Sequence, residues 1–313
     1  MKEELFISGR NNLNIDPVLH IWHWQIPIYL FLGGLAAGLL FFASLYTILG
    51  KEKKYTTAIK IAPIIAPFAI ILGLVALLLD LKHRLFFWQL YTTIRLDSPM
   101  SWGAWTLMAI TPLAFLWSAI HINEIFPNWD WKYKYLKDFQ QWCYKNRISF
   151  AWAIIVLAVI LGVYTGILLS AFNARPLWNT SLLGPLFLVS GLSTAAATIM
   201  LLSNSSREKR IFGRIDLILI AIELFFIVHL FMGFLASSQV QIEAANLFLG
   251  GEFTMPFWVF VVGIGLLIPA FLEILELSGK HIPVAFPAIL ILLGGLVFRF
   301  IMVEAGQVTR YLY

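Results

Sequence analysis

From Gly162 to Asn179 the chain reads GVYTGILLSAFNARPLWN. This stretch begins inside an apolar run long enough to cross a bilayer as a helix, and it ends in a short polar loop. Tyr164, Asn173 and Arg175 are therefore expected toward one membrane face. An arginine beside so much apolar sequence is costly unless it has a function or a partner. The rest of the chain is expected to supply helices around that face.

The composition is that of an integral membrane protein. Of 313 residues, 60% are hydrophobic and 12% are charged, and the mean hydropathy is +0.83. Soluble domains carry about 25% charged residues. The net charge of +5 does not form one continuous basic face, so it does not indicate nucleic-acid binding. The single cysteine, Cys143, excludes an internal disulfide and a multi-cysteine zinc or iron–sulfur site.

Eight apolar stretches are each long enough to cross about 30 Å of hydrocarbon as a helix. Because every backbone amide in lipid needs a hydrogen-bond partner, and no strand-like alternation is present, the sequence predicts an all-α integral membrane protein. No low-complexity linker divides the chain, so we expect one membrane domain over 1–313 that begins with an N-terminal segment over about 1–25. The predicted spans are 26–49, 59–80, 102–122, 148–172, 181–203, 215–236, 255–277 and 283–303.

The distribution of Lys and Arg predicts the orientation. Of 22 such residues, 14 lie around the loops after the first, third, fifth and seventh spans, 7 lie on the other side, and Arg299 falls inside the last span. Positive charge is retained in the cytoplasm, so both termini, the Arg175 loop and the 81–101 loop are expected to be extracytoplasmic. The chain is thus predicted to be a multi-pass protein of the cytoplasmic (inner) membrane.

Ionisable groups inside the spans are functional candidates because lipid makes each one costly. Asp216, Glu223 and Glu273 are the candidate proton-path residues, and the first two lie two turns apart on one helix face. For Glu223 and Glu273, proton transfer and an interhelical hydrogen bond are both open. Asp216, Glu276 and His121 lie near the basic loops, where solvation or pairing with a nearby Lys or Arg is the simpler interpretation.

The histidines do not predict a haem. His121 and His229 are on different spans at opposite predicted depths, whereas two axial haem ligands need similar depths on facing helices. With one cysteine and scattered histidines, we expect neither haem nor a metal ion in this chain.

Polar residues gather at the predicted outer face. Tyr, His, Gln and Asn side chains can hydrogen-bond a carbonyl or hydroxyl group at the end of an apolar tunnel. A carboxylate there exchanges protons and an arginine stabilises developing negative charge, so Asp80, Tyr164 and Arg175 are the catalytic candidates. A quinone, with a polar ring and an apolar tail, fits this set. An Arg175–Asp80 pair across two helix ends is a further expectation. The set comprises Gln25, Tyr29, Asp80, His83, Arg84, Tyr91, Tyr164, Asn173 and Arg175.

Several short motifs follow one another along nearly the whole chain. Together, within eight spans of one polarity, they resemble the NrfD family, in particular its polysulfide reductase membrane-subunit branch, PsrC. The motifs are WHW at 22–24, PIYLFLGGLAAG at 27–38, SPMSWGAW at 98–105, YTG at 164–166, NARPLWN at 173–179, SGLS at 190–193, and Gly294-Gly295 with Arg299 and AGQ at 305–307.

The resemblance implies eight helices in two four-helix bundles, with menaquinone or ubiquinone held at the outer end of the first bundle. The quinone contacts it implies are at Gln25, Tyr29, Asp80, Tyr164 and Asn173. It also implies an extracytoplasmic ferredoxin-like subunit with [4Fe–4S] clusters. That subunit exchanges electrons with a catalytic molybdopterin subunit or a multihaem cytochrome.

One departure from the family concerns the residues after Asp80. The family commonly reads Leu-Gly-Arg-Pro there, whereas this chain has Leu81-Lys82-His83-Arg84. Either His83 or Arg84 is therefore a candidate for the place of the family's arginine, and His83 is kept among the candidate quinone contacts.

The leading hypothesis is a quinone-reactive membrane subunit of a respiratory oxidoreductase complex, which exchanges two electrons and two protons with quinol or quinone. The alternative is a secondary transporter or proton channel that uses Glu223 and Glu273. Transporters of that kind tend to have broken spans in repeated halves and a midplane site. Here the polar residues are at one face and no repeat is found, which favours the first hypothesis. A passive anchor would leave the outer polar residues unexplained.

Overall fold

The structure, a computed structural model, describes residues 22–126, 128–129 and 131–309. Its regular elements in these ranges are all helices, and eight are long and apolar enough to cross a membrane, which confirms the predicted all-α architecture. Most of the predicted N-terminal segment, 1–21, lies outside the described residues. The eight helices are α1 (Gln25–Ile48), α2 (Thr57–Asp80), α3 (Pro99–Ile120), α4 (Arg147–Ser170), α5 (Leu183–Leu202), α6 (Ser206–Leu235), α7 (Pro256–Leu277) and α8 (Ala285–Val308).

The largest difference from the predicted spans is the start of α6. Hydropathy begins this span at 215, whereas the helix begins at Ser206 and extends over 30 residues, about 45 Å at 1.5 Å per residue. Ser205 caps the helix, since its Oγ accepts the backbone N–H of Glu208 at 3.4 Å. The first turns are rich in Lys and Arg, so a hydropathy pattern detects only the apolar part that follows.

Two spans depart from regular α-helical geometry. In α2, Pro63 lacks the N–H that would bond to the carbonyl of Ile59, and the indole N–H of Trp117 donates to that carbonyl instead, at 2.9 Å. The Trp117 side chain of α3 thereby supplies the Ile59 carbonyl of α2 with a hydrogen-bond donor that Pro63 cannot provide. The irregular segments are the π-helical Thr57–Ile61 and Pro256–Leu267 and the 3₁₀-helical Ala62–Ile64.

Helices α1 and α5 lie at the centre of the packing. α1 packs against α2, α4, α5 and α8, and α5 also packs against α4, α6 and α8. The backbones of α1 and α5 touch at Gly34 and Gly191, where a Cβ on Gly191 would lie 2.7 Å from the Gly34 carbonyl oxygen. α7 and α8 meet in the same way at Gly265 and Gly294. Small residues at such crossings let helices gain van der Waals contact inside a membrane.

The two ends of the helix assembly differ in chemistry. The tyrosine end comprises the starts of α1, α3, α5 and α7 and the ends of α2, α4, α6 and α8; the basic end comprises the opposite termini. At the tyrosine end, the backbone of Trp22 exchanges two hydrogen bonds of 2.7 and 2.8 Å with the side chain of Gln307. At the basic end, Arg147 Nε donates to Glu52 at 2.7 Å. Segments that are distant in sequence are thus joined by hydrogen bonds at both ends of the assembly.

Short helices lie in three of the connections between spans. One of them, Lys134–Lys145 at the basic end, carries Cys143. The Cys143 side chain is buried, and burial raises the pKa of its thiol. The others are Arg84–Phe86, Gln89–Thr92, Ile122–Ile125 and Gln239–Asn246.

Candidate functional site

Two buried tyrosines lie close together inside the tyrosine end. Tyr29 on α1 and Tyr164 on α4 are 2% and 7% exposed, and Tyr29 lies near both Tyr164 and Tyr91. Glycines on neighbouring helices make room for both rings. A Cβ on Gly73 of α2 would lie 3.2 Å from Tyr29 Cδ2, and one on Gly103 of α3 would overlap the Tyr164 ring. Each of α1 to α4 therefore contributes to this site.

Two buried polar atoms at this site have no hydrogen-bond partner among the described residues. They are the Tyr29 hydroxyl and Gln25 Oε1, one turn apart on α1. Buried polar groups are normally satisfied, and each unsatisfied one costs about 1–3 kcal/mol. We name these two atoms, which lie beside Tyr164, the open pair. They can hydrogen-bond a ligand that carries a carbonyl or hydroxyl group.

Asp80 ends α2 at the rim of the same region. Its carboxylate is half-buried and interacts with His23, which precedes α1. Asp80, His83 and Arg84 line an open groove of about 560 Å³. Arg84 Nη2 donates to the Leu79 carbonyl at 2.9 Å and so closes the last turn of α2, while His83 is exposed. Of the two candidates for the arginine position, Arg84 is the one bound to α2.

Arg175 is not paired with Asp80. Its Nη1 donates to the carbonyls of Gln307 and Thr309, at 2.7 and 2.8 Å, and no ion pair among the described residues joins it to Asp80. The physical reason is the end of α8, whose last carbonyls lack helical partners and attract a cation. Burial lowers the pKa of the Arg175 guanidinium. Asn173, on the same loop, is exposed.

A second group of polar side chains lies in the interior between α5, α6, α7 and α8, and we name it the polar cluster. Each member is at most 2% exposed. Asp216 Oδ1 accepts the Ser193 hydroxyl at 2.6 Å, and its carboxyl group interacts with that of Glu273. The interpretation of Asp216 as solvated or paired with Lys or Arg is therefore wrong, because the helix buries it away from the basic turns. The cluster comprises Ser190, Ser193, Asp216, Glu223, Glu273 and Arg299.

Arg299, for which no role was predicted, is the cation of the polar cluster. Its Nη1 donates to Ser190 Oγ at 3.0 Å and its Nη2 to the Phe187 carbonyl at 3.1 Å, and it interacts with Glu223. A sequence signal for this arrangement exists. An arginine in the middle of an apolar span needs a buried partner, and Ser190 and Ser193, three residues apart, share one face of α5.

The histidines expected at opposite depths lie far apart in the fold. His121 follows α3 at the basic end, where its Nδ1 lies 3.2 Å from Glu124 Oε1. His229 is exposed on α6 and its Nδ1 bonds the Phe225 carbonyl at 2.8 Å. Within the described ranges, no group of three or more His, Cys, Asp or Glu side chains is arranged to hold a metal ion.

These features define a class: a multi-pass helical membrane protein with a polar groove and unsatisfied buried polar atoms at one end, and charged groups buried in its interior. The family model described as "Polysulphide reductase, NrfD" matches residues 12–310. The chain belongs to this family.

The similarity to individual relatives extends over nearly the whole chain. Protein NrfD of Escherichia coli (strain K12) is 33% identical, and the match covers 92% of this chain and 96% of that protein. One of the chains of the polysulfide reductase of Wolinella succinogenes is 32% identical, with coverage of 92% and 94%. One of the subunits of the selenate reductase of Mesobacillus selenatarsenatis is 23% identical, with coverage of 93% and 75%. Two of these relatives are thus named as parts of a reductase.

Proposed function

We propose that this chain is the quinone-reactive membrane subunit of a respiratory oxidoreductase complex. The observation that carries the proposal is the open pair formed by the Tyr29 hydroxyl and Gln25 Oε1, buried beside Tyr164 at one end of membrane-spanning helices. Membership in the NrfD family, with relatives named as parts of reductases, supports a role in a redox complex.

The residues of the site fit the head group of menaquinone or ubiquinone. The hydroxyls of Tyr29 and Tyr164 can donate to a quinone carbonyl, and Gln25 Oε1 can accept from a quinol hydroxyl. The bound quinone supplies two-electron chemistry that is coupled to two protons. Asp80, half-buried at the rim, is placed to exchange those protons with water at the tyrosine end.

The remaining candidates line the approach to the site. His83 lies in the groove beside Asp80, and Asn173 lies exposed on the loop after α4. We propose polar contacts with the head group or its water for both. Arg175 is proposed to act by fixing that loop to the end of α8, because its guanidinium is already bound to two carbonyls there.

For the topology, we propose that the basic end faces the cytoplasm and that both termini are extracytoplasmic in the inner membrane. The excess of Lys and Arg supports this orientation. We further propose that the single membrane domain consists of two four-helix bundles, α1–α4 and α5–α8. The contacts of α1 with α2 and α4, and of α5 with α6 and α8, support that division.

We propose that a ferredoxin-like subunit with [4Fe–4S] clusters docks on the tyrosine end and exchanges electrons with a catalytic molybdopterin subunit or a multihaem cytochrome. The α2–α3 connection supports a contact surface there, since Leu85, Ile94 and Leu96 are 86%, 64% and 77% exposed. Exposed apolar patches of this kind mark interaction sites. A partner at this end lies beside the site formed by Gln25, Tyr29 and Tyr164, which we name the tyrosine site, and not across the membrane from it.

A second candidate function, a secondary transporter or proton channel, is favoured by the burial of Asp216, Glu223 and Glu273. It predicts ion or substrate movement by the chain in vesicles that contain no quinone. The quinone proposal predicts no such movement.

Titration of the purified complex with a short-chain quinone tests the leading proposal, because a ligand that binds the folded protein raises its unfolding temperature. Gln25→Leu and Tyr164→Phe are expected to weaken quinone binding by about 2- to 10-fold each, the loss of one hydrogen bond. Tyr135→Phe, which changes a tyrosine 65% exposed at the basic end, is the control and leaves binding unchanged. Equal quinone affinity in all variants contradicts the proposal.

A further inference from the structure

The short helix Lys134–Lys145, in the connection from α3 to α4 at the basic end, has no part in the proposed quinone site. One of its faces packs on the end of α3. The Gln140 side chain donates to two carbonyls there, at 3.0 and 3.2 Å, and accepts the indole N–H of Trp131 at 2.8 Å. Cys143, three residues further on, is buried on the same face. These contacts hold the helix in a fixed position on the basic end.

A second face of this helix carries large aromatic side chains that are exposed. Tyr135, Phe139 and Trp142 are spaced by four and three residues, so they lie in one line along the helix, which we name the aromatic stripe. They are 65%, 52% and 56% exposed. The rings of Phe139 and Trp142 stack with their centroids 6.2 Å apart. Exposed apolar surface that is contiguous in this way marks an interaction site.

The aromatic stripe continues into the exposed apolar surface of α4. Trp142 meets Phe150, in the first turn of α4, edge to face with ring centroids 6.0 Å apart. Beyond it, Ile148, Trp152 and Val156 are exposed and spaced four residues apart along this membrane-spanning helix. The stripe is therefore level with the start of a span, which is the depth at which Trp and Tyr side chains border the lipid head groups.

Positive charge borders the aromatic stripe. Four lysines and two aspartates lie between 128 and 146 in the sequence. Lys134 and Lys145 are exposed and lie about a quarter turn round the helix from the stripe. Lys132, just before the helix, is also exposed, and its Nζ lies 5.8 Å from the centre of the Tyr133 ring.

Two acids of the neighbouring segments do not neutralise these lysines, because they are paired elsewhere. Glu124 forms an ion pair with Lys60, and Glu52 forms one with Arg147 at 2.7 Å. The helix thus presents an excess of positive charge beside an apolar stripe. This combination is complementary to a bilayer surface that contains negatively charged lipids.

We propose that the helix Lys134–Lys145 is a binding site for the head groups of anionic phospholipids. The aromatic stripe lies against the upper part of the acyl chains, and Lys132 and the exposed lysines of the helix contact the phosphate groups. Helices with one aromatic face and one lysine-rich face lie in the plane of the membrane interface in this way. This site does not depend on the proposed quinone function.

The charge and the position of the stripe favour lipid over other occupants. A second copy of this chain on the same face would bring lysines against lysines, which repel one another. A soluble acidic protein could contact the lysines, but it could not follow the stripe on to α4, which crosses the membrane.

Native mass spectrometry of the full-length chain, with phosphatidylglycerol and phosphatidylcholine supplied in equal amounts, tests the proposal. The native chain is expected to retain phosphatidylglycerol in preference to phosphatidylcholine. A triple variant should lower this preference by at least about tenfold, since each lysine near an anionic surface contributes about a fivefold change in affinity. The triple variant is Lys132→Gln, Lys134→Gln and Lys145→Gln.

A matched control removes three other exposed cations of the same end, which are carried by α6 and by the connection from α7 to α8. It should leave the preference unchanged. An equal loss in the control would show that the lipid responds to the overall charge of the basic end, and this would overturn a site on the helix. The control variant is Arg207→Gln, Arg214→Gln and Lys280→Gln.

Two further measurements decide the question if a variant does not assemble. The preference of the native chain for phosphatidylglycerol should disappear at about 1 M salt, where charges are screened beyond about 3 Å, and a preference that persists there overturns the proposal. Phe139→Ser combined with Trp142→Ser keeps every lysine and should weaken the retention of both lipids. A dimer of the native chain that separates in this double variant would show that a second copy covers the stripe, and would likewise overturn the lipid site.

Discussion

The phenol ring of Tyr164 occupies the space that a side chain on Gly103 would fill. A Cβ built on Gly103 would overlap the Cζ, Cε1 and hydroxyl oxygen of the tyrosine. Position 103 is a glycine because the Tyr164 ring leaves no room for a side chain there. The backbone does not require a glycine, since Gly103 lies in the α-helix of α3. The position of the tyrosine hydroxyl is set by α3 as much as by its own helix, α4.

We therefore expect Gly103→Ala to displace the Tyr164 ring without removing any functional group. Overpacking of this kind typically costs about 1–3 kcal/mol of stability. The apparent KM for quinol should rise by about 2- to 10-fold, which corresponds to one weakened hydrogen bond. Gly233→Ala on α6, where a Cβ meets no atom within 4 Å, is the control and should leave KM unchanged. An unaltered KM in Gly103→Ala would show that the Tyr164 position does not matter for the substrate.

Tyr29→Phe is expected to make the quinone-free protein more stable and to weaken quinone binding. In the quinone-free protein the Tyr29 hydroxyl is buried without a partner, so its removal is expected to raise the free energy of unfolding by about 1 kcal/mol. Added quinone should then stabilise the variant less than it stabilises the native protein. Tyr55→Phe, at a buried tyrosine of the basic end, provides the comparison and should retain the full response to quinone. A variant that loses stability and keeps its quinone response would assign Tyr29 a purely structural role.

Arg175→Gln is expected to lower the free energy of unfolding by about 1.5–3 kcal/mol, the range for hydrogen bonds that involve a charged group. The loss follows from its two hydrogen bonds to the carbonyls of Gln307 and Thr309. Arg175→Lys keeps the charge but not the fork of donors, so an intermediate loss is expected. Thermal unfolding of the complex measures both, with Arg95→Gln in an exposed loop of the same end as the control. Equal stability of Arg175→Gln and Arg95→Gln would exclude an anchoring role.

The stability of the basic end should fall in acid because of His121. Burial lowers the pKa of His121 more than the neighbouring Glu124 raises it, and Lys60 and Glu52 are the other charges that act on the ring. A histidine whose pKa is lowered by folding stabilises the fold above its unfolded pKa of about 6.5. That contribution is lost as the pH falls through the lower, folded pKa.

Unfolding temperatures between about pH 8 and about pH 5 check this expectation on either side of the unfolded pKa. His121→Gln should flatten the acid decline, whereas His281→Gln, at an exposed histidine of the same end, should leave it intact. An identical decline in both variants would place the responsible group elsewhere.

The spans were predictable because each is an uninterrupted apolar run, and hydropathy is a local property of the sequence. The start of α6 was not, because its first turns are polar and only the Ser205 cap marks them. Gln25, Tyr29 and Tyr164 could be selected from the sequence because they are polar side chains at the borders of the spans, and their role in quinone binding stays a prediction. The dependence of the tyrosine site on Gly103 could not be predicted, because that contact joins α3 to α4 and leaves no local signal.

The partners of the two arginines show the same limit. Arg175 was expected to pair with Asp80, but it donates instead to carbonyls at the end of α8, and no ion pair joins it to a described carboxylate. Arg299 needed a buried partner on physical grounds, yet Ser190 and Glu223 lie on two other helices. Pairings between spans depend on how helices rotate against one another, and hydropathy does not determine that rotation.

Because Cys143 is buried, new cysteines can be introduced and labelled selectively without first removing the native cysteine. It is the only cysteine of the sequence, and its buried thiol, with a raised pKa, should react slowly with maleimides. Lys53→Cys and Glu252→Cys then place one exposed thiol at the basic end and one at the tyrosine end. A reagent that does not cross the membrane of intact cells would label one variant and spare the other, and so determine which end of the protein faces the cytoplasm.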